Sequence, residues 1–246
     1  MVLLLSPMDV AGAKYVRVGK DYDGGYIMLD YFHETKVEAA YSFGINDDIS
    51  WDEAMANRGI EVFMYDHTIE RLPKNHPKFH YFKEGVTGYN KGPCLKTLGE
   101  LIQRNGHSSS NSLIMKMDTE GCEWDIFSEA GSSVINQFSQ IAMEFHGLSS
   151  AIYDTKYPLV AAVLKRINET HQCVHVHANS TSIPLWIGEL VLPSELEVTY
   201  VRRADVKDRL VTNTRQFPTE MDQPTYPGWP DIYLGDFSSE MGTRQK

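Results

Sequence analysis

Long apolar runs are missing from this 246-residue chain. The N-terminus offers only Val2 to Leu5, too short for a signal peptide or a membrane span. A cytoplasmic protein with no membrane partner is therefore expected. Cysteine is scarce. Cys94, Cys122 and Cys173 lie far apart with no pair spacing. That excludes a disulfide framework and a cysteine-rich zinc site, and fits a reducing compartment. Positive charge is also short: 23 Lys and Arg stand against 33 Asp and Glu, a net charge of −10. A phosphate-backbone partner is disfavoured, so no nucleic acid is expected. The local basic cluster Arg202, Arg203, Lys207 and Arg209 is interrupted by Asp205 and Asp208 and reads as solvated surface. Internal repeats and low-complexity stretches are absent.

What remains is an ordinary globular composition, 42% hydrophobic and 23% charged, in a length that suits one large α/β domain. The chain divides into a lead-in over 1–37, a core over 38–203 and a proline-rich tail over 204–246. In the lead-in, Asp23-Gly24 signals a turn and Tyr26 to Leu29 reads as extended. Two readings are open there: a plain hairpin, or a loop closing over a ligand with Arg17 or Lys20 facing an anion. Seven core strands are expected at Ala39 to Phe43, Glu61 to Tyr65, Phe79 to Phe82, Leu113 to Met117, Gln140 to Phe145, Cys173 to His177 and Leu196 to Val201. Helices are expected from about Ser50 to Arg58, Leu95 to Arg104 and Pro158 to Ile167. Ser50 and Glu53 have the spacing of a capping box. Strands alternating with helices predict a mostly parallel sheet with helices on both faces. The tail is expected as irregular segments laid over the domain, with Ile232 and Leu234 docked into it.

The first strand runs directly into Gly44-Ile45-Asn46-Asp47-Asp48, and the second ends in Asp66. Asp66 follows Gly44 at about the offset of an acid that grips ribose hydroxyls. A dinucleotide fingerprint carries three glycines where this turn carries one. A pyrophosphate needs that close backbone approach, whereas a nucleoside without phosphates does not. The pattern points to S-adenosylmethionine rather than NAD. Gly44, Asn46, Asp47, Asp66 with its neighbour His67, Gly85 near the adenine, and Asp118 are the expected cofactor contacts.

Ionisable groups recur at strand ends: Asp118 and Glu120 after the fourth, Glu144 and His146 at the fifth, His175 and His177 at the sixth. Glu123 and Asp125 suit a helix N-terminus instead. A sugar hydroxyl is a poor nucleophile at neutral pH and needs a base or a metal. One assignment makes His146 the base, oriented by Glu144 or Glu120, with Asp118 near the methionine or the acceptor. The other places a divalent cation between Asp118, Glu144 and His146. His175, His177, Asn179 and Trp186 are candidate acceptor contacts, as is Trp229.

The run Lys116-Met-Asp-Thr-Glu-Gly-Cys-Glu-Trp124, with Glu144-Phe145-His146 downstream, resembles the FkbM-type methyltransferases. The resemblance covers about residues 39 to 150 well. It implies a Rossmann-like class I methyltransferase fold: seven strands, the last antiparallel, with S-adenosylmethionine over the first two. It also implies a carbohydrate or small-molecule acceptor methylated at a hydroxyl. Asn46 departs from the pattern, which has a second glycine there. Two rival functions stand beside this one. The first is a metal-dependent hydrolase built on His146, His175 and His177. The second is a methyltransferase-like protein that binds without turnover.

Overall fold

The computed structural model describes residues 2–32, 36–89, 92, 94–152 and 155–238. Each apolar run forms a strand: β1 (Ala39–Phe43), β2 (Glu61–Tyr65), β3 (Phe79–Phe82), β4 (Leu113–Met117), β5 (Phe138–Phe145), β6 (His171–Ala178) and β7 (Leu196–Arg202). They make one sheet in the order β6-β7-β5-β4-β1-β2-β3. β7 runs antiparallel to both β5 and β6, and the other pairings are parallel. This is the Rossmann-like class I methyltransferase architecture. Strand order reverses between β1 and β4, so a crevice for ligands opens at the carboxyl ends of those two strands.

Every residue of β1 and β4 is buried, as expected of strands covered on both faces. Tyr41, Phe43, Met115 and Met117 face one layer, made by α2 (Leu98–Arg104), α3 (Glu123–Glu129) and α4 (Tyr157–Thr170). The apolar stripe Val160, Val163, Leu164 and Ile167 turns α4 inward. Ala40, Val62 and Ile114 face the other layer, which holds α1 (Ser50–Asn57) and the N-terminal hairpin. That hairpin pairs Tyr15–Val18 with Tyr26–Leu29. Buried Gln140 clasps it to the sheet, accepting from Leu29 N at 2.9 Å and donating to Leu29 O at 3.0 Å.

Two local expectations are corrected. Ser50 is the first residue of α1 and makes no cap; Ile49 precedes it, and Asp48 Oδ1 takes the Ser50 amide at 2.9 Å. The Ser50 hydroxyl instead accepts from Lys20 N at 2.9 Å. α2 begins at Leu98, behind a true capping box of Thr97 and Glu100, because Leu95–Lys96 pairs with Gly85–Val86 as a short ladder. One pairing carried no sequence signal: Met8–Val10 with Leu210–Thr212.

The tail returns across the carboxyl end of β6 and the neighbouring amino end of β7. Phe217, Leu234 and Phe237 are buried, each contributing about 1.5–3 kcal/mol of burial. Ile232 packs half-buried against the same core. His175 Nε2 meets Asp222 at 2.8 Å, and His177 Nε2 meets Asp231 at 3.1 Å. Burial pushes the Asp222 carboxyl up, but the bond and charge of His175, the charge of His177 and the Thr219 amide together outweigh it and hold the group at about 2. Burial pulls His177 down, but Glu197 and Asp231 outweigh it and hold the ring at about 10. The Asp222 contribution is therefore present above the ordinary 3.8 and lost as pH falls through about 2. The His177 contribution is present below the ordinary 6.5 and lost as pH rises through about 10. Burial holds His175 below its ordinary 6.5, so its contribution is lost as pH falls. Amide exchange over residues 222–235, corrected for intrinsic rate, is expected to be slowest near pH 6.5 and to accelerate toward pH 10.

Candidate active site

β1 ends at Phe43, and Gly44 turns the chain at φ 75°. A Cβ at Gly44 would lie 1.7 Å from the carbonyl oxygen of Asp118, so only glycine lets the two strand ends cross here. Asn46 holds φ 49°, the left-handed conformation that asparagine tolerates better than most residues. That accounts for an asparagine where a second glycine is usual. Lys116, 6% exposed on β4, donates to the Gly44 carbonyl from below.

Asp66 is spent on the same turn. Its Oδ2 accepts the amides of Ile45 and Asn46, both at 2.9 Å, and its Oδ1 accepts Thr68 N at 2.8 Å and Thr68 Oγ1 at 2.6 Å. Burial pushes the carboxyl up, but these donors outweigh it and hold it at about 2. All four acceptor positions are filled. Asp66, expected from its offset as a ribose ligand, is thus also a brace for the glycine turn. A Cβ at Gly85 would meet the ring of His67 at 2.7 Å and the side chain of Leu95 at 2.8 Å. Asn46 and Asp47 line an open groove of about 470 Å³ with Ile69, Arg71, Leu72 and Lys74.

The fourth and fifth strand ends are locked together. After Asp118, Glu120 (φ 53°) and Gly121 (φ 97°) reverse the chain into α3. Glu123, fully buried at the start of that helix, takes Gly121 N on Oε2 at 2.9 Å. Its Oε1 takes the backbone amide of His146 at 2.6 Å and lies 3.2 Å from that ring's Nδ1. Trp124 stacks on Phe145 at 4.6 Å and donates to the His146 carbonyl at 2.8 Å. Glu123 thus holds the ring from its Nδ1 side, although the sequence assigns it to a helix terminus.

The other ring nitrogen, Nε2, faces three carboxylates: Glu144 at 3.2 Å, Glu120 at 3.5 Å and Asp118 at 3.8 Å. Burial opposes the ring's charge, but the bonds to Glu123 and Glu144 outweigh it and hold His146 at about 11. Burial pushes Glu144 up to about 7 although His146 pulls it down. That raised value opposes the role of base that the sequence suggested for His146. Asn179 donates to Glu144 Oε1 at 3.0 Å and so steadies that carboxyl.

His175 and His177 do not join this group. His175 is buried between Asp222 and Phe217, and His177 between Glu197 and Asp231. The three histidines share no ligand cluster among the described residues, where the cluster found is Asp118, Glu120 and His146. The hydrolase arrangement is therefore not formed. Trp186 is 67% exposed on a hairpin of Leu185–Ile187 and Leu190–Leu192. Trp229 is exposed beside Tyr226, ring centres 6.2 Å apart. Arg17 and Lys20 hold the 19–25 turn itself: Arg17 Nε donates to Lys20 O at 3.0 Å, and Lys20 pairs with Asp48 at 3.1 Å.

Several neighbours of the cleft escaped the sequence. Tyr26 is buried, and burial with the charges of Asp118, Glu144, Glu197 and Asp23 holds its hydroxyl well above the usual tyrosine value. Lys116 had a signal: a lysine inside a buried strand requires a partner. Tyr26 and Glu197 had none, since only the packing of the N-terminal hairpin and the pairing of β7 with β5 bring them near Glu144. A cavity of about 370 Å³, lined by Thr87, Gly121, Trp124, Lys156 and Leu159, meets the cluster at His146.

Among solved structures, the chain resembles an rRNA methylase from Streptococcus thermophilus at 8% identity and TM-score 0.40, over 68% of this chain and 87% of that one. A protein assigned as a hemolysin from the same organism matches at 9% identity and TM-score 0.39, over 84% of this chain and 75% of that one. One assigned as an rRNA methylase from Clostridium thermocellum matches at 9% and 0.39, over 70% and 92%. No curated protein matches the chain. Among the described residues no helix is long and apolar enough to cross a membrane. A family model for a methyltransferase domain matches residues 6–169, more than half of the chain. With that match and the sheet order β6-β7-β5-β4-β1-β2-β3, the chain belongs to the methyltransferase-domain family and is an S-adenosylmethionine-dependent methyltransferase.

Proposed function

We propose that the enzyme transfers the methyl group to a hydroxyl of a sugar or glycosylated small molecule, in the manner of the FkbM-type subgroup. The observation that carries this is the meeting of Asp118, Glu144 and His146 at one crevice beside the Gly44 turn. A hydroxyl acceptor must lose a proton, and the crevice offers buried acceptors for it. In the reaction the acceptor oxygen bonds to the methyl carbon as the carbon–sulfur bond breaks. Sulfur keeps the electron pair, and the proton passes to the Glu144 carboxylate. Asp118 lies between the turn and the acceptor side, and Asn46 and Asp47 contact the nucleoside.

The tail supports a carbohydrate acceptor. Thr225 bonds to Asn179 at 2.9 Å and Asp231 to His177, so residues 226–230 arch beside the crevice. Tyr226 and Trp229 lie exposed on that arch, a surface on which a sugar ring stacks. The carboxylates around the crevice disfavour an RNA acceptor, and the chain's net charge of −10 adds to that.

Calorimetry with S-adenosylhomocysteine tests the cofactor site. Binding at tens of micromolar or tighter is expected, and Asp66→Asn is expected to weaken it about tenfold or more. An amide nitrogen would replace one acceptor oxygen and leave turn amides unpaired, at about 1–3 kcal/mol. No heat with the wild-type protein would overturn the cofactor assignment. Label transferred from S-adenosylmethionine to RNA or protein, with none to a panel of glycosides, would overturn the acceptor class.

A further inference from the structure

We propose that Asp118, Glu120 and His146 hold a divalent cation of the hard, oxygen-preferring class at the acceptor end of the crevice. This deepens the methyltransferase reading and rests on it for its role, though not for its chemistry.

The geometry is that of a coordination shell. One donor atom from each residue lies within 4.8 Å of the others. An octahedral cation with bonds of about 2.1 Å separates neighbouring donors by about 3.0 Å and opposite ones by about 4.2 Å. The Nε2 separations of 3.5 Å from Glu120 and 3.8 Å from Asp118 fall inside that range. Glu144 waits at 3.2 Å, its other oxygen already held by Asn179.

The hydrogen bonding points the same way. Glu123 Oε1 lies 3.2 Å from Nδ1, so a ring that ligates through Nε2 would keep its remaining hydrogen on Nδ1, directed at that carboxylate. Nε2 faces three carboxylates, and a cation among them would take the place of the ring's second proton. A buried carboxylate behind a ligating imidazole is the usual support for a metal-bound histidine. Asp118 Oδ1 is shielded from solvent and has no hydrogen-bond partner, and it is the atom turned toward Nε2. Among the described residues, no lysine or arginine pairs with Asp118, Glu120 or Glu144. Lys116, two positions before Asp118, is committed to Gly44.

Two carboxylates and one imidazole, with room for water, favour magnesium or manganese over zinc. The ion would draw the acceptor hydroxyl in by its oxygen and make it more acidic, leaving Glu144 to take the proton.

Mn²⁺ is the probe. Chelator-treated protein is titrated with Mn²⁺, and free ion is followed by electron paramagnetic resonance. One Mn²⁺ per chain is expected, with Asp118→Asn and Glu120→Gln each weakening it by at least tenfold. Glu120 is 88% exposed at its side chain, so its substitution leaves the fold intact and keeps the test decisive. No binding up to millimolar Mn²⁺, or binding unmoved by both substitutions, overturns the site. S-adenosylhomocysteine binding in the chelated protein is measured separately. If it persists while Mn²⁺ fails to bind, the cation is refuted and the methyltransferase reading stands. If Mn²⁺ binds at this site and the cofactor does not, the cation stands and that reading falls.

Discussion

Replacing Glu144 by glutamine is expected to lower kcat for methyl transfer to a glycoside by about 10²–10⁴-fold, the usual worth of a positioned proton acceptor. Glutamine keeps the volume and can keep the bond from Asn179, since its carbonyl oxygen still accepts. What it loses is the capacity to take a proton from the acceptor oxygen. The lesion should therefore fall on kcat, with KM and S-adenosylhomocysteine affinity changed little. Steady-state rates beside calorimetry separate the two. A rate within twofold of wild type would place proton removal on another group. The side chain is 10% exposed, so thermal unfolding of the variant should accompany the kinetics.

Lys116→Met is expected to reduce unfolding free energy by about 1–3 kcal/mol, the cost of removing the donor to Gly44 and the positive charge that Asp52 feels. Lys116 and Asp52 are 6% and 1% exposed. Burial pushes Asp52 up to about 6, against the pull of Lys116. An acid whose folded value lies above its ordinary 3.8 favours the folded state below that value and loses the benefit as pH rises through about 6. Methionine removes the counter-charge, so the loss should be larger at pH 7 than at pH 5. It also removes the donor to Gly44, so cofactor affinity should fall with stability. Urea unfolding at both pH values checks this. The double variant with Asp52→Asn should recover part of the loss, because the two sites are coupled. Equal losses at both pH values, or strict additivity, would contradict the electrostatic coupling of the two residues.

The seven strands were legible because each apolar run had turn signals at its borders and the right length. Helix edges were less so. Ser50 and Glu53 carry the letters of a capping box, yet Ser50 is drawn to Lys20, thirty positions earlier. Asp66 had the right offset for a ribose acid, but spacing along the chain cannot tell an acid that meets a ligand from one that braces its own turn. Glu123 read as a helix-terminal acid and does begin α3, while its carboxylate serves His146, 23 positions later.

Sequence alone settled the alternation of strands and helices, the single-glycine turn and the gathering of ionisable residues at strand ends. These depend on local propensity and on which side chains leave water, and both are written in short windows. Tertiary structure alone decided the partners: Glu123 on one side of His146, three acids on the other, and the two later histidines given to the tail. Those choices depend on strand order and on distances of a few ångströms between chain-distant atoms, where the interaction of charges changes most steeply.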